Sequence, residues 1–99
     1  METRNKGKPH IVRNEDNGIL FGYLESMEGQ TVVLRDARCL YVWKKAASIL
    51  ELAITGPKDP DGCKFTVRVG EMTITGATIA IPCTDEAAAA IEKVPEWKA

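Results

Sequence analysis

The chain is poor in the residues that catalytic and metal sites need. It has one histidine, His10, near its start, and three cysteines, Cys39, Cys63 and Cys83, at wide spacings. There is no close Cys-x-x-Cys or His-x-x-x-His pair, so no zinc site is expected. An odd cysteine count without a secretion signal gives no disulfide framework, and the thiols are read as small apolar residues in or near strands. No glycine-rich phosphate loop occurs. Asp59 and Asp61 share a loop with Gly62, but the calcium-loop pattern fails beyond them. Without a positioned base, nucleophile or metal, no enzymatic activity and no cofactor are expected.

Other absences bound the partners. No apolar run approaches the ~20 residues of a membrane span. The opening METRNKGKPH lacks the apolar stretch of a signal peptide, so the expected location is the cytoplasm. A formal net charge of −1 provides no global field to attract duplex nucleic acid.

What is present is ordinary for a globular protein: 44 % hydrophobic and 27 % charged residues in 99 positions, enough for one domain with a modest core. Residues 1–9 are expected to be a flexible N-terminal segment and residues 10–99 a single domain. HIVR (10–13) reads as a first strand, NEDNG (14–18) as a turn supplied by Asn-Gly, and ILFGYLES (19–26) as a second strand. Gly22 in its middle suggests a bend, a bulge or a close backbone approach. QTVVLRDARCLYVW (30–43) is long for one flat strand. Asp36 and Arg38 interrupt its apolar face, so a bulge or break near Asp36 and Ala37 is expected.

A helix follows, with Ala46, Ala47, Leu50, Ala53 and Ile54 as its apolar face, Gly56 past its end and Pro57 as its stop. KFTVRV (64–69) alternates, with Phe65, Val67 and Val69 expected inward. GEMTITGATIAIPC (70–83) holds one or two strands around a turn near Gly76. Thr84 caps a second helix with Asp85 and Glu86 in its first turn and Ala87, Ala90, Ile91 and Val94 as its buried stripe. The expected architecture is an α+β domain: a small antiparallel sheet or open barrel of about five or six strands with two short helices. GYLESMEGQTVVLRDA is mildly similar to the strand pair of Sm-like proteins, although those carry their helix at the N-terminus.

The strand-to-helix corner YVWKKAAS is the strongest local clue to a ligand. Lys44 and Lys45 stand in or just before the first turn of the first helix, where its dipole disfavours cations, whereas the second helix starts with acids. Two ammonium groups and free N–H groups suit a phosphate or carboxylate. Arg35 and Arg38 precede them, Tyr41 and Trp43 offer ring faces, and Ser48 offers a hydroxyl. The candidate ligand-binding set is therefore Arg35, Arg38, Tyr41, Trp43, Lys44, Lys45 and Ser48. A plainer alternative stands beside it. Tyr41 and Trp43 suit core or subunit contact, the lysines suit a solvated corner, and Arg38 can pair with Asp36.

LRDARCLYVWKKAASILELA, with CKF, IPCT and the closing VPEWKA, resembles a family of short phage and prophage proteins of unassigned function. The likeness runs from about Ile11 to Lys98. This chain departs from it at Cys39, where a second arginine is common, at Val42, where an aromatic is common, and at Lys45, where a glycine is usual. Small phage proteins without catalytic residues include several that sequester nucleotide second messengers of bacterial immunity as homo-oligomers. The resemblance thus implies a binder of a small phosphorylated ligand, of the cyclic nucleotide or cyclic ADP-ribose class. Two alternatives are a protein-interaction module anchored by Tyr41, Trp43 and Trp97, and a small-barrel binder of single-stranded nucleic acid. A homo-oligomer, most simply a dimer, is expected from exposed strand edges and surplus aromatics.

Overall fold

The computed structural model describes residues 7–16, 18–43 and 48–97. Among them are six strands and two helices: β1 (Pro9–Asn14), β2 (Gly18–Glu28), β3 (Thr31–Val42), α1 (Ile49–Ile54), β4 (Lys64–Phe65), β5 (Val69–Ile74), β6 (Ala77–Pro82) and α2 (Asp85–Lys93). A short 3-10 turn spans Pro60–Gly62. The α+β class with a small antiparallel sheet is as the sequence predicts. Of the segment expected to be flexible, residues 1–6 lie outside the described residues, and β1 begins at Pro9.

The strands pair in the order β4-β3-β2-β1-β6, and β5 pairs with β3 off that path. β5 and β6 therefore flank opposite sides of the β3-β2-β1 ladder, yet only Thr75 and Gly76 separate them in the chain. The sheet has to curl to bring those sides together, which makes an open barrel. Gly76 turns the corner at φ 74°, a region open to glycine. Asn14 Nδ2 donates to the Thr75 carbonyl, and the Ala77 N–H donates to the Gln30 carbonyl at 2.9 Å, so the corner is tied to both neighbouring turns.

Alternation along each strand divides the apolar residues between two cores. Val12, Leu20, Val32, Leu34, Ala37 and Ile74 fill the inside of the curl. Ile11, Phe21, Leu40 and Phe65 face the other way and meet Leu52 and Ala53 of α1, Ala88 and Ile91 of α2, and Val94.

The expected bulge in β3 lies where the sequence places it. Tyr23 is opposite Arg35 and Phe21 is opposite Arg38, so Asp36 and Ala37 together face Gly22 alone. Asp36 takes φ 49°. A Cβ on Gly22 would lie 2.8 Å from the Leu34 Cβ and 3.2 Å from the Ala37 Cβ, so only glycine fits under the bulge. The extra residue inverts the side-chain parity of the strand. Val32 and Leu34 point into the curl, whereas Arg38 and Leu40 point at the helices. It also lets one strand serve two partners, β5 before the bend and β4 after it.

Three sequence expectations are corrected. α1 starts at Ile49: Ser48 is its N-cap, with its hydroxyl accepting from the Glu51 N–H at 3.2 Å, and Ala46 and Ala47, expected on its apolar face, lie outside the described residues. Its buried residues are Leu52 and Ala53, while Leu50 and Ile54 are 59 % and 58 % exposed. In KFTVRV only Phe65 is buried: β4 ends there, Val67 lies exposed on the crossover, and Val69, the first residue of β5, pairs with Ala37 but leaves its side chain exposed. α2 starts as expected, capped by Thr84 through the Ala87 N–H at 3.0 Å, and Ala87, Ile91 and Val94 are buried, but Ala88 rather than the half-buried Ala90 completes the stripe.

Candidate functional site

Among the described residues Arg38 is the largest fully buried side chain. The bulge turns it beneath the end of α2. Its Nε donates to the Thr66 carbonyl at 3.0 Å, Nη1 to those of Ile91 and Val94 at 3.1 and 2.9 Å, and Nη2 to those of Phe65 and Pro95 at 3.3 and 3.4 Å. The Phe65 ring lies 5.4 Å from the guanidinium carbon. Burial lowers its pKa, and the Arg68 charge adds to that, but a guanidinium keeps its proton. The expectation that Arg38 meets an anionic ligand is therefore corrected. All its donor nitrogens hold backbone carbonyls, including those a helix leaves unpaired at its C-terminus. Its expected alternative, a surface pair with Asp36, is not found either.

Arg35 lies on the surface, where one nitrogen is shared between Glu25 at 3.0 Å and Glu71 at 3.2 Å, linking β2, β3 and β5. Two carboxylates already satisfy its charge. Ser48 serves as the α1 cap. The first turn of α1 carries Glu51 in a Ser-x-x-Glu arrangement, so this helix start follows the usual charge preference after all. Lys44 and Lys45, which precede the cap, lie outside the described residues. Trp43 is half-buried against the helix-covered core. Tyr41 goes elsewhere: it is 63 % exposed.

Tyr41 is not alone. The ring of Trp97 lies parallel to it, 5.4 Å between centroids with 5° between planes. Lys64 Nζ sits 5.3 Å from the Trp97 ring centroid. Trp97 arrives there because Pro95 follows the end of α2 and the next residues run beside β4. Glu96 bridges Phe65 in parallel, and the Trp97 N–H donates to the Phe65 carbonyl at 2.8 Å. Trp97 remains 45 % exposed. Two large aromatics and a cation thus form a solvent-facing platform at the β4 edge. No local signal pairs Tyr41 with Trp97, and Lys64 was absent from the expected set. The one hint is a tryptophan in an otherwise polar tail.

Three further groups are shaped by burial. The Tyr23 hydroxyl donates to Glu92 at 2.8 Å, and burial, then that bond, raise its pKa. Burial pushes Cys39 up, and Cys83 up to about 12, so both thiols stay protonated at neutral pH. Among the described residues no group of three His, Cys, Asp or Glu side chains is placed to hold a metal ion. A cleft of about 410 Å³ beside β5 is lined by Leu20, Cys39, Met72, Thr73, Ile74 and Thr75, with no charged side chain to attract an anion.

A family model described as a domain of unknown function, DUF6948, matches residues 7–91. The chain belongs to this family. No curated protein matches the sequence. The DUF6948 match takes in the whole sheet, α1, Arg38, Tyr41 and Lys64. It ends before Trp97, so the second ring of the platform lies beyond the matched stretch. Among the described residues of this DUF6948 protein, no helix is long and apolar enough to cross a membrane.

Proposed function

We propose that the protein is a non-catalytic binding protein that captures a small phosphorylated ligand of the nucleotide type on the Tyr41–Trp97 platform. One observation carries this reading: two exposed aromatic rings are held parallel with an ammonium group against one of them. Exposed rings in fixed orientation suit a planar base, and stacking on such rings contributes about 1–3 kcal/mol per base. Lys64 supplies charge for a phosphate, and Lys44 and Lys45 follow Tyr41 closely in the chain. Arg35, Arg38 and Ser48 leave the ligand set because each already has its partners. Function is then sequestration, in which binding lowers the free ligand without chemistry. The likeness to phage and prophage proteins suggests the context: a cyclic nucleotide or cyclic ADP-ribose signal of host defence. Such a protein works in the host cytoplasm, and we propose a homodimer.

The test is quenching of tryptophan fluorescence, together with thermal shift, across a panel of linear, cyclic and ADP-ribose nucleotides. Binding is expected with at least one, raising the melting temperature as ligand concentration rises. Trp97→Ala should weaken that affinity by about one to two powers of ten and leave the fold intact. No quenching or shift at millimolar nucleotide would remove the proposal. A second reading, a protein-interaction module, is favoured by the exposure of Val67 and Val69 on the segment following β4. It gains if the same aromatic substitutions abolish a protein contact instead.

A further inference from the structure

Arg68 lies between β4 and β5, about one-third exposed, and faces two acids from the end of the chain. Its Nε donates to Glu92 Oε1 at 2.9 Å and its Nη2 to the Glu92 carbonyl at 2.8 Å, both in the last turn of α2. Its Nη1 and its own backbone N–H each donate to Glu96 Oε2 at 3.1 Å. One side chain therefore grips the helix end and the strap beyond it together. Burial pulls its pKa down, but the hydrogen bonds and charges of Glu92 and Glu96 outweigh that and raise it.

Pro95 cannot continue the helix or donate a backbone bond. β4 is two residues long, and among the described residues the strap meets it through the Phe65–Glu96 bridge and the Trp97 N–H. Arg38 holds the carbonyls of Val94 and Pro95 from below but reaches neither Glu96 nor Trp97. Ordering the strap costs conformational entropy, which its backbone bond to Phe65, the ring stack and the Lys64–Trp97 contact offset in part. The two bonds from Arg68 add a constraint at Glu96, the residue beside Trp97.

We propose that Arg68 is the positioning residue of the platform: by clamping Glu92 and Glu96 it fixes the strap on β4 and so sets Trp97 parallel to Tyr41. This rests on the reading of the platform as the binding surface. The geometric claim is tested without any ligand, so the two can fail separately. Released from Arg68, Trp97 would swing away, Tyr41 would be bared on both faces, and the β4 edge would open.

Trp43→Phe leaves Trp97 as the sole tryptophan. In that background, near-ultraviolet circular dichroism and acrylamide quenching report on Trp97 directly. Arg68→Gln is expected to abolish the Trp97 dichroism and bring its quenching towards that of free tryptophan, while the far-ultraviolet spectrum is unchanged. Arg68→Lys should restore the signals only in part, since one ammonium cannot reproduce the forked contacts to both acids. Glu96→Gln removes the charged partner without touching the helix end, and should show the same loss should Arg68→Gln fail to fold. Raised ionic strength should act in the same direction on the wild-type signal. Unchanged dichroism and quenching in a folded Arg68→Gln or Glu96→Gln protein would overturn the assignment. Altered Trp97 signals in a protein that binds no nucleotide would uphold it and remove the nucleotide reading alone.

Discussion

The Nη1 of Arg38 on β3 lies 2.9 Å from the carbonyl oxygen of Val94, so the middle of the sheet holds the end of the last helix. The pair explains why a fully buried arginine needs no carboxylate. The C-terminus of α2 presents unpaired carbonyls with the negative end of its dipole, and the guanidinium supplies donors and charge to match.

Replacing Arg38 should therefore be severe. Arg38→Met leaves buried carbonyls without donors and is expected to cost at least about 3 kcal/mol. Arg38→Lys should recover only a fraction, because one ammonium cannot reach the same acceptors. Urea unfolding monitored by circular dichroism measures both. A cost below 1 kcal/mol for the methionine variant would contradict this role.

Gly22→Ala tests the bulge. The added methyl would meet the Cβ atoms of Leu34 and Ala37 at 2.8 and 3.2 Å. Neither neighbour can yield by rotating, since both contacts are at Cβ. Overpacking of this kind costs about 1–3 kcal/mol, readable as a lower urea midpoint at unchanged slope.

Cys83 sets a limit on alkaline stability. Burial raises its thiol from the ordinary value of 9.0 to about 12 in the folded chain. The unfolded chain thus releases this proton first as pH rises. The contribution is fully present below pH 9 and is lost progressively as pH climbs from about 9 to about 12. Cys83→Ala should flatten that part of the stability profile. At pH 8 the native thiol should resist alkylation by iodoacetamide until the protein is unfolded. Rapid modification of the folded protein would show that the site is more open than described.

Leu50 and Ile54 lie one turn apart on α1, and more than half of each is exposed. An apolar pair at that spacing on a short helix suits a subunit contact. Light scattering at micromolar concentration should give the mass of two chains, and Leu50→Glu with Ile54→Lys should give one while leaving the circular dichroism unchanged. A wild-type mass of one chain would end the dimer proposal.

Much of the fold was legible before any coordinates because its signals are local. The turn at Asn14–Gly18, the start of α2 at Thr84 and the break at Gly76 follow from backbone preferences of single residues. The bulge was legible too, since Asp36 and Arg38 break an apolar alternation that a flat strand would keep. The start of α1 was also written locally, in the Ser-x-x-Glu of Ser48 to Glu51. The alanines before it suggest a longer helix, and helix propensity is a weak guide next to capping geometry. The charge anomaly assigned to Lys44 and Lys45 depends on a helix starting there, whereas α1 starts at Ile49 behind its Ser48 cap.

The first three strands, the point where β3 changes face and the cap of the second helix follow from the conformational limits of neighbouring residues, whereas the break of 64–69 into β4 and a crossover does not. The sequence by itself did not determine what Arg38 would meet, or that Tyr41 would lie against Trp97. Those contacts join segments far apart in the chain, and they form only once the sheet has curled and α2 has docked across it. A guanidinium is indifferent, in sequence, to whether it holds a phosphate or the end of a helix. Tertiary structure decides by bringing unpaired carbonyls within hydrogen-bond distance and excluding the water that would otherwise compete for it.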